Sequence, residues 1–351
     1  MLSKTYFSRP LTLDHAIASS CRFPLTVIRA DLTGNLFKLA QRSTKAHMDT
    51  ERKSNQVLVD DKNYSVLSVR NGGMGRVWFL EQSFNDVSFD PIYRRRIAVK
   101  TFDFMSEESA IANELNVWIS LDHRSVLPLK KIGRLNYRLA AIMPLLNGSL
   151  DDVLEDRRSL SEQEIVQILL DVVEGLDNAW SSFKIFHLDL KPSNILVVNT
   201  GSPIQIKIAD WGIARLTAET LKIRRLNANA PAIAVFDAKT AYAAGTPLFM
   251  SPERFSGNWV LSPTADIYSL GMMAVQLKTG TLPFRFGQVN PAEEIATGAY
   301  FDNAAQILDN ASENFRLLVL QCIHPEASVR PQTFKEMAVQ LNSISKYGKK
   351  K

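Results

Sequence analysis

The run His187-Leu188-Asp189-Leu190-Lys191-Pro192-Ser193-Asn194, followed by Asp210-Trp211-Gly212, places a candidate base, a cation and two candidate metal ligands in one short stretch. It lies between apolar segments, Ile185-Phe186 before it and Ile195 to Val198 after it. A phosphoryl transfer site needs little covalent chemistry from protein. It needs a carboxylate to position the acceptor, a cation for the moving phosphate and oxygen ligands for Mg2+. Asp189, Lys191, Asn194 and Asp210 are the required types. A polar loop capping a helix would also use Asp, Ser and Asn, which are common turn formers. Four matching residues at this mutual spacing weigh against that plainer reading.

The run resembles the catalytic loop H-R-D-x-K-x-x-N of the eukaryotic-like (Hanks-type) serine/threonine protein kinases, and Asp210-Trp211-Gly212 resembles their metal loop D-F-G. The resemblance covers about Asp61 to Asn342, with every motif in family order. It implies an α+β, bilobal protein-kinase-like fold, with a small antiparallel β-sheet N-lobe carrying one helix and a larger, mainly α-helical C-lobe. It also implies transfer of the γ-phosphoryl group of ATP, with Mg2+ or Mn2+, to Ser or Thr hydroxyls of protein substrates. Asp189 would then orient the acceptor hydroxyl and take its proton, Lys191 would neutralise charge on the transferring phosphate, and Asn194 and Asp210 would hold the metal ions. Lys191-Pro192-Ser193-Asn194 resembles the serine/threonine version of this loop rather than the tyrosine version.

Arg70-Asn71-Gly72-Gly73-Met74-Gly75-Arg76-Val77 is similar to the family's glycine-rich loop, with Arg70 replacing the first glycine. Gly72, Gly73, Gly75 and Val77 become nucleotide-binding by that resemblance, although a hairpin turn would use the same glycines. Ile97-Ala98-Val99-Lys100 resembles the strand that presents a lysine to the α- and β-phosphates, with Glu114 as the helix glutamate that holds it. Ala98 and Leu196 complete the ATP-binding set that the resemblance implies.

Two positions in the central loops depart from the family. Leu188 stands where the family has arginine, which removes the usual cationic pocket for a phosphorylated activation loop. Trp211 replaces phenylalanine, and by motif matching it joins Leu129, Trp118 and His187 in an apolar column, so His187 reads as structural rather than as a base. Gly245 to Glu253 resembles the segment that forms the peptide-substrate platform, with Thr246 favouring a hydroxyl-bearing substrate. Glu253 would pair with Arg330, and Asp266 would brace the catalytic loop.

Two alternatives share this fold. A nucleotide-binding pseudokinase acting as a scaffold is motivated by Arg70, Leu188 and Trp211, none of which removes a reacting group. A small-molecule phosphotransferase would lack the platform segment. No G-x-x-x-x-G-K-[ST] occurs, which excludes a P-loop NTPase.

Composition agrees with an ordinary soluble globular protein: of 351 residues, 46% are hydrophobic and 22% charged. Cys21 and Cys322 lack metal-ligand spacing, so neither a zinc site nor a disulfide framework is suggested, in keeping with a cytoplasmic location. No stretch is apolar enough to span a bilayer, and a net charge of +5 with dispersed cations does not indicate nucleic-acid binding. The oligomeric state is left open.

Along the chain, residues 1–60 read as a basic extension of unknown role, 61–146 as the N-lobe, 147–342 as the C-lobe and 343–351 as a basic tail. Tyr64 to Val69, Gly75 to Leu80 and Ile97 to Phe102 read as strands. A helix capped by Ser106 would line one face with Ile111, Leu115, Trp118 and Ile119. Ser149 can cap a short helix through Asp156. Ser161 with Glu164 forms a capping-box pattern ahead of Ile165, Ile168, Leu169, Val172, Val173, Leu176 and Trp180. The Ala-rich stretch from Asn227 to Ala244 is expected to be a long, mobile loop.

Overall fold

The computed structural model describes residues 56–72, 75–82, 96–102, 108–157, 159–201, 203–211, 222–224, 233–235, 246–255 and 260–348. Two hairpins open the fold. In the first, β1 (Gln56–Val59) turns into β2 (Lys62–Gly72) through Asp60 and Asp61, both at positive φ, as a two-residue primed turn requires. The second runs from β2 into β3 (Gly75–Gln82), where Gly72 and Gly75 face each other across the turn. Gly75 has φ +142°, and a Cβ there would lie 2.0 Å from the Thr101 carbonyl oxygen, so both conformation and space demand glycine.

β4 (Arg96–Phe102) pairs with β3, and after helix α1 (Glu108–Ser120) a third hairpin joins β5 (Lys131–Leu135) to β6 (Arg138–Pro144). Its turn residues Asn136 and Tyr137 again have positive φ. The sheet closes into a barrel of order β1-β2-β3-β4-β6-β5 because Val59 pairs with Leu135. The period of two in a strand then sorts side chains. Val57, Val59, Tyr64, Trp78, Leu80, Ile97, Val99, Leu135, Ala140 and Ile142 form one buried cluster. The alternate residues Val77, Phe79, Ala98, Lys100 and Met143 line a cavity instead.

The C-lobe begins with β7 (Gly148–Ser149), α2 (Leu150–Arg157) and α3 (Glu162–Phe183). The capping box forms as the sequence predicts: the Glu164 amide donates to Ser161 Oγ, and the Ser161 amide donates to the Glu164 carboxylate at 3.0 Å. Its apolar stripe packs the helix onto the core, with Ile165, Ile168, Val172 and Val173 fully buried. A turn of 3-10 helix at Pro192–Asn194 leads to β8 (Ile195–Asn199) and β9 (Gln205–Ile208), which with β7 make a three-stranded sheet. Helix α4 (Pro263–Thr279) buries residues on all sides and forms the centre of the lobe. Around it lie α5 (Pro291–Thr297), α6 (Ala299–Ile307), α7 (Glu313–Cys322) and α8 (Phe334–Gly348). Among the described residues no helix is long and apolar enough to cross a membrane.

Several expectations change. The N-lobe sheet is antiparallel as expected and closes into a barrel, and its first strand, Gln56–Val59, falls inside the extension expected to run to 60. Four residues with two inward valines are too short to read as a strand without knowing that β2 and β5 flank them. The tail expected from 343 is helical to Gly348. Ile119 is 43% exposed, whereas Ile111, Leu115 and Trp118 are buried and Val117 packs against the same core. Within the stretch expected as a mobile loop, β11 (Ile233–Val235) pairs with β10 (Lys222–Arg224) and β12 (Val260–Leu261). The rest of that stretch, the extension up to residue 55 with Cys21, Ser106, and Lys349 to Lys351 lie outside the described residues.

Candidate active site

The cavity between the barrel and the C-lobe has a volume of about 390 Å3. Val77, Ala98 and Met143 come from the barrel strands, and Asn194, Leu196 and Asp210 come from the C-lobe side. Lys100 Nζ lies 2.5 Å from Asp210 Oδ1. Burial alone would raise the Asp210 carboxyl; the charge and hydrogen bond of Lys100, with His187 and Lys191 adding to them, outweigh it and hold the group below its ordinary value. A carboxyl depressed in the folded state stabilises the fold above its unfolded value, near 3.8, and loses that contribution as the pH falls through its lower folded value. The stability difference between wild type and Asp210→Asn should therefore shrink as the pH falls below the unfolded carboxyl value, near 3.8, in denaturant titrations. A constant difference over that fall in pH would mean that Asp210 has no such coupling.

The run from His187 to Asn194 is held by side chains that bond its main chain. Asp266, fully buried on α4, accepts the amide hydrogens of His187 at 2.8 Å and Leu188 at 2.7 Å. Burial pushes its carboxyl up, opposed by His187, the two amide donors and Arg254. The His187 ring is completely buried, with Nε2 2.9 Å from the Ala209 carbonyl and Nδ1 accepting the Asp189 amide at 3.3 Å. Both nitrogens are therefore engaged by the main chain, and the ring meets Trp211 edge-on at 4.9 Å. Trp118 and Leu129 are buried in the same core, where Trp118 donates to the Leu127 carbonyl at 2.8 Å.

Four donors converge on Asp189. Oδ1 accepts the Thr246 amide at 2.8 Å and the Thr246 hydroxyl at 3.0 Å. Oδ2 accepts Asn194 Nδ2 at 3.0 Å and Lys191 Nζ at 2.9 Å. Lys191 also reaches Thr246 Oγ1 at 2.5 Å, so carboxylate, ammonium and hydroxyl form one closed group. Because Asn194 spends its amide hydrogens on Asp189, its carbonyl oxygen is the side-chain atom left to accept or coordinate. With the Asp210 carboxylate on the same cavity wall, this gives a hard, all-oxygen donor pair. Such a pair suits a cation that takes its other ligands from phosphates and water, which is how Mg2+ is commonly held.

The structure thus brings Asp189, Lys191, Asn194, Asp210, Lys100, Ala98, Val77 and Leu196 to one cavity and its edge. Gly72 and Gly75 close the β2–β3 hairpin and Gly75 is not among the cavity-lining residues, while Gly73 lies outside the described residues. Glu114 sits in α1, but its side chain lies outside the described residues, as do Gly212 and Gly245. Phe79 also lines the cavity; as the second residue after Val77 on the same strand face, it could have been read from the alternation. Arg70 reaches across the cavity mouth to Asp152 Oδ1 on α2 at 3.1 Å, a contact between residues far apart in sequence that no motif announces. The expected support pair forms, with both Glu253 oxygens bonded to the Arg330 guanidinium at 2.8 and 2.9 Å.

Comparison with known proteins agrees with this geometry. The family model described as "Protein kinase domain" matches residues 91–341, more than two thirds of the chain, beginning after the glycine-rich hairpin. Serine/threonine-protein kinase pkn3 of Myxococcus xanthus is 27% identical over 290 residues, covering 79% of this chain and 49% of its own. "Probable serine/threonine-protein kinase PknB" of Lactococcus lactis is 26% identical over 230 residues, covering 64% and 32%. Myosin light chain kinase family member 4 of Homo sapiens is 30% identical over 184 residues, covering 51% and 42%. In each case the match spans less than half of the relative's own length. With the barrel, the helical lobe and the loop around Asp189 between them, the chain belongs to the protein kinase domain family.

Proposed function

We propose that this chain is an ATP-dependent serine/threonine protein kinase. The observation that carries the reading is the convergence of Thr246, Asn194 and Lys191 on the Asp189 carboxylate, beside the cavity that Lys100 and Asp210 line. Asp189 accepts the proton of a substrate hydroxyl whose oxygen attacks the γ-phosphorus, while the bond to the β,γ-bridging oxygen breaks and ADP departs. Lys191 lies beside both Asp189 and Thr246, where its charge offsets that of the transferring group. Thr246 holds the carboxylate in place through main chain and side chain together. Lys100 pairs with the nucleotide phosphates, and Ala98, Val77 and Leu196 enclose its base. Mg2+, when bound by Asn194 and Asp210, would neutralise charge on the phosphate oxygens. The preference for Ser and Thr rests on Lys191 and Thr246, and on the names of the relatives.

The test is incubation of the full chain with γ-labelled ATP, Mg2+ and a mixed protein substrate, followed by phosphoamino-acid analysis. Label on phosphoserine or phosphothreonine is the expected result. Label confined to phosphotyrosine, or to small-molecule acceptors, would overturn the assignment.

A further inference from the structure

Leu188 lies in the left-handed region, with φ 66°, and is only 2% exposed. A non-glycine residue is disfavoured there, so the surroundings must hold it. On its amide side the holder is Asp266, at 2.7 Å. On its carbonyl side it is Arg254, whose Nη1 donates to the Leu188 oxygen at 2.7 Å. Arg254 is itself only 3% exposed and follows Glu253 at the end of the substrate-platform segment.

That carbonyl belongs to the peptide whose other end is the Asp189 amide, which donates to His187 Nδ1. The peptide plane entering Asp189 is therefore held at its oxygen by Arg254 and at its hydrogen by His187. The Asp189 side chain is in turn held by Thr246, in the same platform segment as Arg254. Burial lowers the Arg254 guanidinium from its ordinary value, and Asp266 first, then Asp189 and Glu253, oppose the shift, so the cation sits among carboxylates from α4, from the loop it braces and from its own segment.

We propose that Arg254 is a positioning residue for phosphoryl transfer: from the substrate platform, it fixes the left-handed Leu188 peptide and so aims Asp189, in a loop whose own arginine position is leucine. The inference rests on the kinase reading above. Misaiming a reacting carboxylate by an ångström costs roughly 10²-fold in rate. Nucleotide binding should be spared, because Arg254 is not among the residues lining the cavity.

The full chain and its Arg254→Met and Arg254→Lys variants should be compared by steady-state kinetics, fluorescent-nucleotide binding and amide hydrogen exchange. Arg254→Met is expected to lower kcat roughly 10²-fold, with nucleotide affinity and the KM for ATP within about threefold of wild type. It should also speed exchange at the amides of residues 187–189 while leaving α3 unchanged. Arg254→Lys, which keeps the charge and one donor, should recover most of the rate and protection. The proposal is overturned if kcat is unchanged in Arg254→Met, or if exchange at 187–189 is unaltered. It is equally overturned if the lysine variant is as impaired as the methionine variant, or if nucleotide affinity falls in parallel with kcat. Should Arg254→Met not fold, a lysine variant with wild-type kcat and protection supports the proposal, and one lacking both refutes it. Absence of transfer by wild type would count against the kinase reading alone, since the exchange measurement needs no turnover.

Discussion

Asp189→Asn is expected to lower the rate of phosphoryl transfer by about 10³-fold, within the range that loss of a positioned general base costs. The asparagine keeps the shape of the side chain but cannot take a proton from a hydroxyl. It also cannot satisfy its neighbours. The carboxylate accepts two bonds from Thr246 on one oxygen and bonds from Asn194 and Lys191 on the other. On the Oδ2 side the new amide nitrogen meets the donors of Asn194 and Lys191, and on the Oδ1 side it meets the Thr246 amide and a hydroxyl that must turn to accept, so local rearrangement adds to the chemical loss. Lys100 and Asp210 do not touch Asp189, so nucleotide affinity should stay within a few-fold of wild type. Single-turnover transfer and equilibrium nucleotide binding, measured on the same preparations, separate the two quantities. A variant that retains more than about a tenth of the wild-type rate would remove Asp189 from the role of base. A variant that loses nucleotide binding as well would point to collapse of the cavity rather than loss of the base.

What could be read from the sequence about this site was whatever depends on short spacings. Asp189, Lys191 and Asn194 are a few residues apart, and a loop that brings one to the acceptor brings all of them. The alternation Ile97-Ala98-Val99-Lys100 likewise decides which side chains face the cavity once the strand is granted. The Ser161–Glu164 capping box is local too, and it formed as read. Contacts that need two distant segments were legible only where a family pattern names both ends, as for Glu253 with Arg330 and Asp266 with the loop. Arg254 had no such pattern. Its role depends on the positive φ of Leu188, which no leucine advertises. The barrel closure was hidden for a similar reason. β1 carries four residues, and its partner β5 lies across the whole N-lobe from it. Arg70 could be seen to replace a glycine, but its bond to Asp152 depends on how the two lobes face one another.

Arg330→Met is expected to destabilise the fold by about 3–5 kcal/mol, the usual cost of breaking a buried ion pair by removing one partner. The guanidinium makes five hydrogen bonds: two to Glu253 and one each to the carbonyls of Thr264, His324 and Pro325. It also lies over the Tyr268 ring at 4.9 Å. The Arg330 side chain is wholly buried, whereas that of Glu253 is 22% exposed. The two ends of the pair should therefore respond unequally. Glu253→Gln leaves a neutral amide beside a guanidinium that keeps its three carbonyl partners, and water can reach the exposed edge. Arg330→Met instead leaves a carboxylate and three carbonyls without that donor, at the junction of the platform, α4 and the segment before α8. Removing both partners should not restore stability, because the carbonyls of Thr264, His324 and Pro325 still lose their donor. Urea midpoints at neutral pH for the two single variants and the double variant would test this. The expected order is a small loss for Glu253→Gln, a large loss for Arg330→Met, and a double variant little better than the latter. If the double variant instead returned to near wild-type stability, the ion pair alone would account for the cost and the carbonyl bonds would be energetically minor. Because the Glu253 end of this pair is covalently next to Arg254, loss of Arg330 should also loosen the brace on Leu188. The rate of transfer in Arg330→Met should accordingly fall even at temperatures where the variant remains folded.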